Sequence, residues 1–101
     1  MITAMILAGG VGSRVGADRP KQFVEIFGKP VVVYTIEIFQ KNSNIDAIEV
    51  VCHKEWKEYL INMIEQYNLD KVKWVTDGGE TFQDSVMNGI NNLKDKIKSD
   101  D

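Results

Sequence analysis

An α/β fold with a parallel sheet in βαβαβα order is predicted by three features of this chain. Apolar runs at 3–8, 47–52 and 72–76 are short, as strands buried on both faces are. Stretches with apolar residues at helical spacing follow each of them. The first and third runs also end at glycine-rich turns. Alternation at this spacing implies right-handed βαβ crossovers and a Rossmann-like sheet.

The first strand is Thr3 to Ala8. After a glycine-rich loop, Pro30 opens a helix in which Val33, Tyr34, Ile36 and Phe39 recur at roughly helical spacing, and proline suits a first helical turn. The β-branched run Val31-Val32-Val33 opposes that assignment. Ala47 to Cys52 is the second strand. Lys54 to Asn68 then places Trp56, Tyr59, Leu60, Met63, Ile64 and Tyr67 on one helical face. Val72 to Thr76 is the third strand, closed by Asp77-Gly78-Gly79. Thr81 with Asp84 three residues on resembles a capping box, and Val86, Ile90, Leu93 and Ile97 form the apolar stripe of a third helix. The charged tail from Lys94 to Asp101 is expected to fray. No internal repeat or linker interrupts residues 1–101, which read as one small domain or part of a larger one.

Composition narrows the function. With 101 residues and 44% of them apolar, the chain has enough for a modest core. Its formal net charge of −3 argues against nucleic acid as the main partner. The charge is uneven: Arg14, Arg19, Lys21 and Lys29 leave residues 1–30 at +2 and the remainder at −5. Positive charge therefore gathers around the first loop, where a polyphosphate would sit. Cys52 is the single cysteine, so no internal disulfide forms. Met1-Ile2-Thr3 lacks a basic leader, and no run is long enough for a bilayer span, so a cytoplasmic protein with no membrane partner is expected.

The chemistry concentrates in Leu7-Ala8-Gly9-Gly10-Val11-Gly12-Ser13-Arg14-Val15-Gly16, followed by Pro20-Lys21-Gln22-Phe23. Glycines leaving a strand let backbone N–H groups approach a phosphate chain, and two cations stand beside them. A Walker A loop is excluded, because no register supplies its Gly-Lys-Ser/Thr ending. A dinucleotide fingerprint fits poorly: Gly10, Gly12 and Gly16 give one residue too many, and Cys52-His53-Lys54 lacks the ribose-binding acid. A plain glycine turn with solvated cations is the remaining local alternative. His53 has no acidic partner in view and reads as structural or solvated. Trp56 and Tyr59 read as core, and Cys52 as a small buried hydrophobe.

These motifs, together with Gly28-Lys29-Pro30 and the block Gly78-Gly79-Glu80-Thr81-Phe82-Gln83-Asp84-Ser85-Val86-Met87-Asn88-Gly89-Ile90, resemble the cytidylyltransferases acting on methylerythritol 4-phosphate or ribitol 5-phosphate. The resemblance runs in order over nearly the whole chain, and Leu7-Ala8-Gly9-Gly10 is closer to the ribitol branch. It implies the amino-terminal half of a nucleotide-diphospho-sugar transferase-type fold. The implied reaction is attack of a polyol phosphate on the α-phosphorus of CTP, with release of pyrophosphate. Arg14 and Lys21 match the loop cations that act on the triphosphate. Ala8, Gly9, Gly10, Val11 and Gly12 match its nucleotide-facing turn, and Gly79, Glu80 and Ser85 match positions that recognise cytosine and neighbouring atoms. Read locally, Ser85 is equally a helix-start serine satisfying backbone N–H groups.

The resemblance also implies Mg²⁺, whose ligand aspartate is expected downstream of this chain, as is the lysine of the acceptor phosphate site. Asp77 and Glu80 are the nearest local acids, and a solvated turn is the stronger reading of both. Where the family commonly carries arginine, this chain has Phe82, which offers an apolar wall or a stacking face instead. In the family's sheet the second and third strands lie to one side of the first, which leaves the first strand's other edge bare here. Self-association through that edge, or a homo-oligomer, is expected. The 101-residue chain by itself is expected to be inactive, and a fragment that binds or assembles without catalysis is the alternative to the enzyme reading.

Overall fold

A computed structural model describes residues 1–8 and 21–97, without the side chains of Lys21 and Ile97. Its main sheet has three parallel strands in the order β1-β4-β5: β1 is Thr3–Ala8, β4 is Ala47–Cys52 and β5 is Val72–Asp77. β1 and β4 pair from Thr3 with Ala47 through Ala8 with Cys52, so both end at the same edge of the sheet. β5 pairs with β4 from Ile48 with Val72 through Cys52 with Asp77, with a register shift after Ile48. The predicted α/β sheet and its strand order are those observed. Among the described residues nothing pairs with the outer edge of β1.

Alternate residues of each strand serve opposite layers. Ile6, Ala8, Ile48, Val50 and Cys52 face α1 (Val31–Gln40) and α2 (Lys54–Gln66), joining Val32, Val33, Ile36, Leu60 and Leu69 in the main core. Each valine, leucine or isoleucine among them, when fully buried, contributes about 1.5–3 kcal/mol relative to exposure. The other face carries Met5, Glu49 and Val51, and α3 (Phe82–Ile97) packs there. Gly89 is the buried position of α3, while Val86, Ile90 and Leu93 are half-buried. The expected apolar stripe therefore flanks the contact, because a residue without Cβ lets the helix backbone sit down on the sheet. No helix among the described residues is long and apolar enough to cross a membrane.

Helix ends follow capping chemistry. Pro30 is the N-cap of α1, with ψ of 146°, and the helix begins at Val31 despite the three valines. α2 stops at Gln66 rather than Asn68. Asn68 adopts φ of 54°, its N–H donates to the Glu65 carbonyl at 3.2 Å, and the Leu69 N–H donates to the Ile64 carbonyl at 2.9 Å, a Schellman closure. Thr81 caps α3 as predicted, its Oγ1 accepting from the Asp84 N–H at 3.0 Å. α3 continues through Lys94 to Ile97 instead of fraying at Lys94, and Lys94 and Lys96 in its last turn suit the negative end of the helix dipole.

One element was absent from the sequence reading. A 3₁₀ turn at Lys21–Phe23 leads into a small antiparallel hairpin, β2 (Glu25–Ile26) and β3 (Lys29–Pro30). Phe27 and Gly28 turn it with φ of 55° and 78°, the signs of a type I′ turn. The hairpin is tied to α1: Tyr34 Oη donates to the Ile26 carbonyl at 2.6 Å, and Lys29 Nζ meets Glu37 Oε1 at 2.7 Å.

Candidate functional site

All three strands point their carboxyl ends at one cleft, where open α/β sheets bind ligands. Leu7 and Ala8 line it from β1, Val51 and Cys52 from β4, and Gly78 and Gly79 from the turn after β5. His53, Phe82 and Ser85 complete the lining. Ala8, the last residue of β1, lines the cleft and is followed in sequence by Gly9.

The block from Gly78 to Asn92 is a set of ties between the sheet and one side of α3. The Gly78 N–H donates to the Cys52 carbonyl at 2.7 Å, prolonging the β4–β5 pairing by one step. The Gly79 N–H donates to Ser85 Oγ at 3.0 Å. Asn88 Nδ2 donates to the Asp77 carbonyl at 3.2 Å. Any Cβ at Gly79 would run into the Asp84 side chain and stand 3.1 Å from the Asp84 carbonyl carbon, so only glycine fits. A Cβ at Gly89 would meet Met5 Sδ, Val51 Cγ2 and Glu49 Oε1. Ser85, Asn88, Gly89 and Asn92 recur every three or four residues, which puts them all on the sheet side.

Beneath that helix lies a buried carboxyl group. Glu49 Oε2 accepts from Thr76 Oγ1 at 2.7 Å and from Asn92 Nδ2 at 3.0 Å, while Oε1 is buried without a partner. Burial raises its pKa above the ordinary carboxylate value, and the two hydrogen bonds oppose that shift only in part. Cys52 behaves as expected of a packed hydrophobe. Burial pushes its thiol up to about 11, with Asp77 adding to the shift and Lys57 opposing it.

Sites expected from sequence divide into three groups. Ala8, Gly79 and Ser85 are brought together in the cleft lining. Glu80 is exposed in the turn before α3 and does not line the cleft, and Asp77 is exposed and pairs with Lys57 at 3.3 Å. Gly9, Gly10, Val11, Gly12 and Arg14 lie outside the described residues. Lys21 opens the 3₁₀ turn, two residues before Phe23. Phe23 is fully buried, stacked on Trp56 at 4.9 Å and edge-on to Tyr59 at 5.6 Å. Trp56 and Tyr59 thus pack as core, and the core they form anchors the Pro-Lys-Gln-Phe segment.

His53, expected to be structural or solvated, has a structural role. It is the N-cap of α2, its Nδ1 accepting from the Glu55 N–H at 3.1 Å, which assigns the ring proton to Nε2. The legible signal was its place just before a helical run, although histidine is not a favoured cap. Among the described residues no group of three or more His, Cys, Asp or Glu side chains could hold a metal ion. The described residues therefore do not fit a resident Mg²⁺ by themselves.

A parallel sheet whose strands end at one cleft, lined by a glycine turn and the start of a helix, defines an α/β protein of Rossmann-like type. Residues 2–99 match the family described as 2-C-methyl-D-erythritol 4-phosphate cytidylyltransferase, and the chain belongs to that family. It is 46% identical over 98 residues to a ribitol-5-phosphate cytidylyltransferase of Vibrio parahaemolyticus, covering 96% of this chain and 41% of the relative. Against the protein of that name from Lacticaseibacillus paracasei it is 45% identical over 101 residues, covering 100% of this chain and 43% of the relative. A 2-C-methyl-D-erythritol 4-phosphate cytidylyltransferase of Clostridium novyi is 41% identical over 93 residues, covering 91% and 40%. The chain spans about two fifths of the length of the curated relatives it matches.

Proposed function

We propose that this chain is the nucleotide-binding part of a CTP-dependent cytidylyltransferase that joins CMP to a phosphorylated C5 polyol. The acceptor is D-ribitol 5-phosphate or 2-C-methyl-D-erythritol 4-phosphate, and pyrophosphate is released. The observation that carries the reading is the convergence of Ala8, Gly79 and Ser85 on one cleft at the carboxyl ends of the strands. Family membership supports it, and the higher identity to the ribitol enzymes favours ribitol 5-phosphate as acceptor.

In this reading the acceptor phosphate attacks the α-phosphorus, and negative charge grows on the equatorial oxygens and the leaving pyrophosphate. Arg14 and Lys21 oppose that charge, with backbone N–H groups of Gly9, Gly10, Val11 and Gly12 along the triphosphate. Lys21 acts at the attacked phosphorus, and buried Phe23 holds its segment in place. Gly79, Glu80 and Ser85 belong to the base side. Mg²⁺ enters as the counter-ion of the triphosphate, held by groups other than the described residues. A cytoplasmic setting with no nucleic-acid partner fits the acidic balance, and self-association fits the bare edge of β1.

Calorimetry with CTP set against ATP, followed by turnover of Lys21→Gln in the full-length enzyme that carries this chain, tests the proposal. CTP preference in binding, with turnover cut about 100-fold or more and CTP affinity reduced far less, is expected. Equal binding of both nucleotides, or unchanged turnover, would contradict it.

A further inference from the structure

Phe82, the first residue of α3, lines the cleft and remains 69% exposed. No aromatic or cationic partner meets its ring among the described residues. The cleft beside it has an apolar floor of Leu7, Val51 and Cys52. Its position is fixed from both sides, by the Thr81 cap and by the tie between Gly79 and Ser85.

The two glycine amides of that wall are closed to phosphate. The N–H groups of Gly78 and Gly79 are already engaged, by the Cys52 carbonyl and by Ser85 Oγ, and the Asp84 N–H is engaged by Thr81. A phosphate chain would find neither glycine amide free and no charge at Phe82. A polyol would gain nothing from a phenyl face. A flat heterocycle would gain from both the ring and the floor, and Ser85, whose oxygen already accepts, keeps its O–H to donate to a ring edge.

The geometry points to Phe82 as the stacking platform for the pyrimidine ring of the bound nucleotide. This rests on the cytidylyltransferase reading, and it adds the residue that holds the base. Stacking of a base on one aromatic side chain is typically worth about 5- to 150-fold in affinity.

The test is calorimetric titration of the purified protein with CTP and with inorganic tripolyphosphate, which has no base. Three forms are compared: the unsubstituted protein, Phe82→Leu, which keeps apolar bulk without a π face, and Phe82→Trp, which keeps the face. Expected is a loss of about 5-fold or more in CTP affinity for Phe82→Leu, tripolyphosphate affinity unchanged within about 2-fold, and CTP affinity retained in Phe82→Trp. Loss of both ligands together, or no loss of CTP, overturns the proposal while leaving the nucleotide reading in place. An unsubstituted protein that does not prefer CTP over tripolyphosphate overturns both. Because the ring is exposed, thermal unfolding should be the same for all three forms, and a matched melt separates lost contact from lost folding.

Discussion

Asn92 donates its amide to the buried Glu49 carboxyl group at 3.0 Å, joining the middle of α3 to the middle of β4. Thr76 donates to the same oxygen from β5, so one acceptor ties three elements. The opposite oxygen, Oε1, has no donor. From the elements packed on it, Glu49 faces Met5, Trp74, Thr76, Gly89 and Asn92, none of them charged.

This arrangement makes stability fall with rising pH. The folded-state pKa of Glu49 is raised by burial, so the protonated form is the one the fold favours. Its contribution is fully present below the unfolded value of about 4.3 and is lost as pH rises through the raised folded value. Glu49→Gln removes that titration. The melting midpoint of the variant minus that of the parent should increase between pH 4 and pH 8, by about 4–8 °C for each kcal/mol involved. A difference independent of pH would show that Glu49 ionises freely in the fold.

Gly89→Ala should destabilise, against the usual trend. Alanine in place of glycine inside a helix ordinarily gains about 1 kcal/mol. Here the new methyl group would stand 3.0 Å from Val51 Cγ2 and 3.1 Å from Glu49 Oε1 and would collide with Met5 Sδ. Overpacking of this kind costs about 1–3 kcal/mol, so urea unfolding should show a net loss. A higher midpoint would mean that α3 lies farther from the sheet.

The hairpin predicts the opposite sign. Phe27 holds φ of 55° while 99% exposed, so its ring gains nothing from packing and its backbone occupies a region that suits asparagine or glycine. Phe27→Asn should stabilise by about 1 kcal/mol, read in the same denaturant titration. No gain would mean that the ring is covered in solution.

Ser85→Ala separates tie from contact. It removes the acceptor for the Gly79 N–H, with an expected loss of about 1–3 kcal/mol of stability, and it loosens the turn that presents Phe82. CTP affinity should fall with it. Ser85→Thr, which restores the hydroxyl, should recover both.

The alternation of short apolar runs with helical stretches made the sheet and its three helices legible, since burial on both faces leaves few other uses for such runs. Thr81 and Asp84 showed the start of α3 for the same local reason. The hairpin was hidden because Phe27-Gly28 is not a common turn pair, and its positive φ at Phe27 follows from the ties to Tyr34 and Glu37. Ser85 and Asn92 could be suspected as polar positions on a helix. Their partners, Gly79 and Glu49, were not legible, because the latter stands 43 residues away and only the folded sheet brings it near. His53 entered the cleft lining through the register of β4, which no local pattern announces.

Product analysis tests the central claim most directly. The full-length cytidylyltransferase that carries this chain is incubated with CTP, Mg²⁺ and either ribitol 5-phosphate or methylerythritol 4-phosphate, and ³¹P NMR follows the phosphorus resonances. The account predicts a CDP-linked polyol with one equivalent of pyrophosphate, formed from CTP and not from ATP. Binding of CTP with neither product formed from either acceptor would contradict it.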